Sequence, residues 1–214
     1  PGKMFGPALD DGFDVVIGNP PYVQIQKFPS PQKAAWVEQK FKTYAATADI
    51  YCLFYERGVR LLKDGGHLSY ITSNKWMRAG YGEKLRDFFC RDVAVEEVID
   101  FGGVPVFNAA MVDTAIVRLV KSAPKFSFPS SVLTRTFSIQ DSLSDYVQDN
   151  AVPFERPADG APSWVIMSPD RFRIKCAVEQ QGVPLEKWQI QINYGIKTGY
   201  NEAFYISTAQ REAF

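Results

Sequence analysis

The chain has 214 residues, of which 46% are apolar and 22% charged, the composition of a globular protein with a substantial core. Its formal net charge is zero, so a surface for nucleic acid would have to come from local clusters of basic residues. The best candidates for such a cluster are Lys75, Arg78, Lys84, Arg86 and Arg91.

The cysteines and the hydropathy pattern limit the ligands and the cellular compartments that are compatible with the sequence. Cys52, Cys90 and Cys176 are widely spaced and His67 is the only histidine, which argues against a zinc site and against a disulfide framework. No apolar stretch has transmembrane length, and no segment has the pattern of a signal peptide. We therefore expect a cytoplasmic protein that binds neither a metal nor a membrane.

The first predicted element is a buried strand that leads into a rigid turn. Residues Phe13 to Gly18 form a short, continuous apolar run rich in β-branched residues, as expected for a parallel strand covered on both faces. Asn19-Pro20-Pro21-Tyr22 follows at once, and each proline fixes its own φ and holds the preceding residue extended. Sites in parallel sheets lie at the carboxyl ends of strands, so this turn is the first candidate site.

This turn carries the groups that methylation of a planar amine requires. The exocyclic amine of adenine is a poor nucleophile because its lone pair is delocalised into the ring. The side-chain oxygen of Asn19 and the backbone carbonyl of Pro20 could each accept one amine hydrogen and aim the lone pair at an electrophilic methyl group. Tyr22 would stack on a base that has been flipped out of the duplex. The structural alternative is a Pro-Pro turn in which Tyr22 only covers the core.

Helices and strands alternate downstream of the turn, which predicts helices packed on a mostly parallel sheet. Asp49 is the expected N-cap of the second helix, and Gly65-Gly66 is expected to end it. The last two strands form a closing hairpin whose second strand is antiparallel. The predicted helices are Pro31–Ala46, Asp49–Leu62 and Glu83–Cys90, and the predicted strands are Leu68–Thr72, Val95–Phe101 and Val112–Val120.

The periodic pattern weakens after residue 122. Seven prolines interrupt the stretch from Ser122 to Gln191, which predicts a connector with short strands near Ser127–Ile139 and one helix near Arg171–Gln181. We therefore divide the chain into an α/β domain at residues 1–122, a connector at 123–190 and the start of a second domain at 191–214.

Phe13-Asp14-Val15-Val16-Ile17-Gly18-Asn19-Pro20-Pro21-Tyr22 resembles the catalytic motif of S-adenosylmethionine-dependent DNA adenine-N6 methyltransferases, particularly those of type II, and within it type IIG, restriction-modification systems. Three further segments resemble parts of these enzymes. Residues 49–66 resemble the next helix of the catalytic domain, residues 73–82 a segment common in the large adenine-specific enzymes, and residues 195–204 the start of the target-recognition domain. The resemblance implies the C-terminal half of a Rossmann-like methyltransferase sheet.

The resemblance also assigns roles to individual residues. It implies catalysis by Asn19, Pro20, Pro21 and Tyr22, with Phe107 contacting the flipped base from the side opposite Tyr22. Asn74 and Trp76 follow a strand end near the site and are expected to line the substrate channel. Asn19 and Phe54 are the expected contacts of this chain with S-adenosylmethionine. For Phe107, Phe54 and Trp76, simple packing in the core is an open alternative.

The cofactor half of such an enzyme is missing from this sequence. The family carries a glycine-rich loop and acidic residues before the Asn-Pro-Pro-Tyr strand, and the chain has no such loop in a strand-to-helix setting. We expect the 214 residues alone to be inactive and to bind S-adenosylmethionine weakly or not at all. The strand at residues 13–18 would then lie at a sheet edge and favour self-association.

Two other classes of function are compatible with the motif. The acceptor amine could belong to a protein glutamine or to RNA, although the segment at Gly195 disfavours both. The chain could also be a DNA-binding or assembly module without chemistry. Double-stranded DNA with a flipped adenine is the partner that the resemblance implies for the whole enzyme.

Overall fold

A computed structural model describes residues 10–106, 112–134, 137–138, 140–157, 163–183 and 187–188. The chain divides into two compact units, Pro1–Ile174 and Lys175–Phe214. The strands are β1 (Phe13–Gly18), β2 (Leu62–Ser73), β3 (Ala94–Asp100), β4 (Thr114–Val120), β5 (Ser127–Val132) and β6 (Val152–Glu155). The α-helices are α1 (Ser30–Glu38), α2 (Tyr51–Leu61), α3 (Glu83–Arg91), α4 (Leu143–Asn150) and α5 (Pro169–Gln181). Short 3-10 turns lie at Ile25–Lys27, Asn74–Met77 and Gly80–Gly82.

The six strands of the described residues form one sheet in the order β1-β2-β4-β3-β5-β6. The closing hairpin is confirmed, because β4 lies antiparallel between β2 and β3. The expectation of a mostly parallel sheet is wrong for the described residues. Only the β1/β2 and β3/β5 pairs are parallel, whereas the β2/β4, β3/β4 and β5/β6 pairs are antiparallel.

The predicted end of the second helix is also wrong. Helix α2 ends at Leu61, and β2 begins at Leu62, so that Gly65 and Gly66 lie inside the strand. Gly65 has φ +78°, and a Cβ on Gly66 would come within 2.9 Å of the Phe13 carbonyl oxygen. The two glycines therefore serve a left-handed backbone conformation and a close approach of β2 to β1, rather than a helix cap.

The larger cluster of buried residues is rich in aromatic side chains. Trp76 and Trp164 are fully buried and their rings lie 5.3 Å apart, with Phe89 5.1 Å from Trp76. The amide of Trp164 donates to the carbonyl of Met77 at 2.7 Å. The stretch around Trp164 thus packs back onto the segment that follows β2, although the sequence indicated only a proline-rich connector there.

Strands β5 and β6 extend the sheet beyond residue 122, and α4 was not predicted. The helix expected near Arg171–Gln181 is present as α5. The division into two compact units at Ile174 differs from the boundaries at 122 and 190. The functional assignment of these stretches stays a prediction, and the start of the second domain at 191–214 lies outside the described residues.

Strand β1 lies at one edge of the sheet and pairs, within the described part of the chain, only with β2. Its composition suits burial, yet Val15 is 54% and Ile17 78% exposed. No helix among the described residues is long and apolar enough to cross a membrane.

Candidate active site

The Asn19-Pro20-Pro21-Tyr22 turn lies at the carboxyl end of β1, where the sequence placed it. Strand β2 runs parallel to β1, with Gly18 opposite Tyr70, so the residues that follow β2 leave the sheet at the same edge. Asn19 and Pro21 are exposed, Pro20 is buried, and Tyr22 is half-buried. The turn therefore presents the Asn19 side chain to solvent while Pro20 holds the turn against the core.

Asn19 and Tyr22 are joined directly. The Tyr22 hydroxyl donates a hydrogen bond to Oδ1 of Asn19 at 2.8 Å and lies 3.4 Å from the carbonyl oxygen of Ile71 in β2. Burial raises the pKa of Tyr22, so this hydroxyl keeps its proton at neutral pH. An amide oxygen has two lone pairs. One lone pair of Asn19 Oδ1 is thus used to orient the side chain and the other is available to a ligand.

Behind Tyr22 lies a second tyrosine. The ring of Tyr51, the first residue of α2, meets Tyr22 edge to face with centroids 6.1 Å apart. Tyr51 is fully buried, and its hydroxyl is 3.0 Å from that of Tyr81. The Tyr81 hydroxyl donates to Oδ2 of Asp49 at 3.2 Å. Asp49 does not form the expected N-cap, since the cap position of α2 is Ile50, without a side-chain cap bond.

The segment after Tyr22 is fixed to the segment before α2. A two-residue antiparallel bridge joins Gln24 to Asp49. The amide of Ile50 donates to the carbonyl of Val23, and the amide of Ile25 donates to the carbonyl of Ala48, each at 2.8 Å. The position of Tyr22 is therefore set by backbone bonds on its carboxyl side as well as by the ring of Tyr51.

Asn74 lies at the end of β2, as expected, and contacts the neighbouring strand end. Its Nδ2 atom donates to Oδ1 of Asp100 at 2.9 Å, and the same oxygen accepts from the amide of Gly102 at 3.0 Å. Asp100 is only 2% exposed. No local pattern in the sequence pointed to this carboxylate, because it ends an ordinary strand and its partner Asn74 lies 26 residues earlier.

Trp76 and Arg86 lie elsewhere than the sequence suggested. Trp76 is fully buried in the aromatic core, so its side chain offers no surface to a substrate channel. Arg86 is 1% exposed and donates to the carbonyl oxygens of Trp76 and Ala79, which corrects its assignment to a DNA-facing cluster. Its charge stabilises the turns between β2 and α3 instead.

The other residues of the predicted basic cluster differ in whether the chain itself supplies a polar or charged partner. Lys84 donates to the carbonyl oxygen of Tyr44 at 2.7 Å, and Arg91 lies 3.7 Å from the carboxylate of Asp87. Lys75 and Arg78 are exposed, and neither forms an ion pair within the described ranges. These two follow Asn74 at the carboxyl edge of the sheet, so they are the remaining candidates for contact with an anionic ligand.

Phe54 is 38% exposed on α2 and borders an open cavity of about 240 Å³. Trp36, Phe41, Ile50, Leu53 and Arg57 also line it. An exposed ring beside an apolar cavity fits contact with a planar group, as the resemblance implied for the adenine of S-adenosylmethionine, and that role stays a prediction. Phe107 lies outside the described residues. In the described ranges no group of His, Cys, Asp and Glu could hold a metal ion.

Solved structures with a similar fold are methyltransferases. A protein from Listeria monocytogenes described as a class I S-adenosylmethionine-dependent methyltransferase superposes with a TM-score of 0.50 at 21% identity, over 66% of this chain and 41% of that one. The methyltransferase subunit of a type I restriction-modification system from Streptococcus thermophilus gives 0.52 at 17% identity, over 65% and 31%. The chain therefore has the Rossmann-like α/β fold that the sequence predicted.

The sequence comparisons relate the chain to a family of restriction-modification enzymes. Residues 3–107 match the family model of Eco57I restriction-modification methylases. The type II methyltransferase M.PaeR7I of Pseudomonas aeruginosa is 27% identical over 205 residues, which are 92% of this chain and 36% of the relative. The chain thus spans little more than a third of that relative. The predicted resemblance to the type II restriction-modification methyltransferases is confirmed.

Proposed function

We propose that this chain is part of a restriction-modification DNA methyltransferase that transfers a methyl group from S-adenosylmethionine to N6 of a flipped-out adenine. The observation that carries the proposal is the geometry at the end of β1, where the Tyr22 hydroxyl holds Oδ1 of Asn19 at 2.8 Å. A polar acceptor held in one orientation beside a half-buried ring is what a planar amine needs for binding and alignment.

The reaction makes a specific demand on these residues. S-adenosylmethionine, when bound, supplies an electrophilic methyl group. The free lone pair of Asn19 Oδ1 and the carbonyl of Pro20 accept the two hydrogens of the amine, and this moves its lone pair out of conjugation with the ring. Tyr22 stacks on the base and keeps the amine in line with the methyl group. The proton that the amine loses after transfer passes to water, since the described residues place no carboxylate or histidine against Asn19.

The relatives favour DNA over the other acceptors. M.PaeR7I is named a type II methyltransferase, and the family that matches residues 3–107 is a restriction-modification family. Neither supports a protein glutamine or an RNA as the substrate. The cofactor contacts of this chain would be limited to the surface around Phe54 and Asn19, and Phe54 borders an apolar cavity of suitable character.

The test is methylation of DNA by the full-length protein, followed by nucleoside mass spectrometry for N6-methyladenine. The expected result is N6-methyladenine with the unchanged protein and almost none with Asn19→Ala. The matched control is Asn150→Ala, which alters an asparagine on α4 whose side chain donates to the carbonyl of Tyr146 in the same helix. Methylation of cytosine, of RNA or of protein alone would overturn the proposal, and DNA binding without methyl transfer would favour the non-catalytic module.

A further inference from the structure

We infer that Tyr81 is a positioning residue. It holds Tyr51, and Tyr51 in turn holds the ring of Tyr22, on which the target base would stack. The inference rests on the function proposed above and adds to it a residue that lies outside the Asn19–Tyr22 turn. It is carried by a chain of three polar groups, Tyr51, Tyr81 and Asp49, that we call the tyrosine relay.

The direction of each hydrogen bond in the tyrosine relay follows from the proton count. A carboxylate has no proton to give, so the Tyr81 hydroxyl donates to Oδ2 of Asp49 at 3.2 Å. Because the single hydroxyl proton of Tyr81 is used in that bond, the Tyr81 oxygen accepts a hydrogen bond from the hydroxyl of Tyr51 at 3.0 Å. Burial raises the pKa of both tyrosines, so both keep their protons at neutral pH. The relay is therefore a single, fixed arrangement.

The tyrosine relay joins three segments that surround Tyr22. Asp49 lies in the bridge to Gln24, two residues after Tyr22. Tyr51 begins α2 and meets the Tyr22 ring edge to face at an interplanar angle of 89°. Tyr81 comes from the Gly80–Gly82 turn before α3, where a Cβ on Gly82 would overlap the carbonyl of Trp76. Tyr81 therefore lies on a tightly packed turn, and its hydrogen bond to Tyr51 connects that turn to the ring that packs against Tyr22.

The relay positions and does not carry protons to the site. Tyr51 touches Tyr22 through the two rings, and the Tyr22 hydroxyl is bonded to Asn19, away from the relay. No hydrogen-bonded path therefore runs from Asn19 to Asp49 through the relay. What the relay does fix is the position of the Tyr51 hydroxyl and therefore the direction of the ring axis, because the side chain cannot swing about its Cα–Cβ bond without breaking the hydrogen bond to Tyr81. Tyr22 packs on that ring, and a loosened Tyr51 gives Tyr22 room to leave the stacking geometry.

The first experiment compares Tyr81→Phe with Tyr146→Phe in the full-length protein. Both changes delete one hydroxyl that donates or accepts in the first compact unit, but Tyr146 bonds the carbonyl of Val132 in β5, away from the turn. Tyr81→Phe is expected to lower kcat about three- to tenfold with little change in KM for DNA, as loss of one hydrogen bond implies. It should also reduce the fluorescence rise of 2-aminopurine placed at the target base. Tyr146→Phe is expected to leave both readouts unchanged.

The second experiment checks that the effect passes through Asp49. Asp49→Asn keeps an acceptor oxygen and is expected to retain kcat, whereas Asp49→Ala is expected to match Tyr81→Phe. The double variant Asp49→Ala/Tyr81→Phe should lose no more than either single variant, since the two changes break the same relay. Additive losses would overturn the inference.

The outcomes separate the inference from the function on which it rests. If the unchanged protein methylates adenine and Tyr81→Phe behaves like Tyr146→Phe in kcat and fluorescence, the inference is wrong and the proposed function stands. If the unchanged protein transfers no methyl group to DNA, the proposed function is wrong and the inference fails with it. A change in thermal stability alone, with normal kcat and fluorescence, would make Tyr81 a structural residue only.

Discussion

The hydroxyl of Tyr22 donates to Oδ1 of Asn19 at 2.8 Å, three residues back along the chain, and so links the proposed stacking residue to the proposed acceptor. The two prolines between them hold the extended backbone from which this contact is made. A change at either residue therefore affects the other, and the two substitutions below are designed to separate their roles.

Asn19→Ala removes the oriented acceptor. We expect methyl transfer by the full-length protein to fall about a hundredfold or more, as loss of one preorganised polar contact commonly does. DNA affinity should change little, because the substitution shortens a single exposed, uncharged side chain. Single-turnover methylation measures the first effect and a binding titration the second. Near-normal turnover would show that Asn19 is not the acceptor.

Tyr22 combines a ring and a hydroxyl, and two substitutions distinguish them. Tyr22→Ala is expected to weaken the flipped state by about 1 to 3 kcal/mol, because the base loses its stacking partner. Tyr22→Phe keeps the ring and removes the hydroxyl that orients Asn19. The phenylalanine variant should therefore retain the 2-aminopurine signal but lose about 1 kcal/mol of transition-state stabilisation. Equal signals from the unchanged protein and the alanine variant would exclude stacking.

Much of the site was predictable because it is local in the sequence. A strand, two prolines and flanking Asn19 and Tyr22 lie in ten residues, and backbone chemistry alone fixes their order in space. The bond of Asn74 to Asp100 and the tyrosine relay join residues 26 to 32 positions apart, so no local pattern encodes them. The burial of Arg86 could not be predicted for a related reason. Arg86 donates to backbone carbonyl oxygens, which every residue has, so no residue type in the sequence marks its partners.

Lys75 and Arg78 are the exposed cations at the carboxyl edge of the sheet without an ion pair in the described part of the chain. If they contact DNA phosphates, each alanine substitution should weaken binding for all sequences and reduce the slope of log K against log salt by about 1. The matched control is Arg118→Ala. Arg118 is already paired with Glu96 and Glu97, so its substitution should leave the slope unchanged. Identical slopes for all three variants would remove Lys75 and Arg78 from the DNA surface.

The cysteines provide a test of the core. Burial raises the pKa of the Cys52 and Cys90 thiols, so less of the reactive thiolate forms at a given pH. Both are buried, whereas Cys176 is half-buried. Under native conditions at pH 8, iodoacetamide should therefore label Cys176 first, and Cys52 and Cys90 should react only when denaturant unfolds the chain. Peptide mass spectrometry resolves the three sites, and fast native labelling of Cys52 would contradict the position of α2.

Strand β1 provides the last prediction, which concerns the 214-residue chain by itself. Within the described residues β1 pairs only with β2, and its apolar side chains Val15 and Ile17 are 54% and 78% exposed. An edge of this kind favours pairing with another chain, and a lysine on it opposes such pairing. We expect the isolated chain to self-associate and Ile17→Lys to shift it toward the monomer. Val37→Lys, at a 55% exposed position on α1, is the control and should not. Size-exclusion chromatography with light scattering measures all three species. A monomer for the unchanged chain across the accessible concentration range, or equal dissociation by the two lysine variants, would show that β1 is not the associating edge.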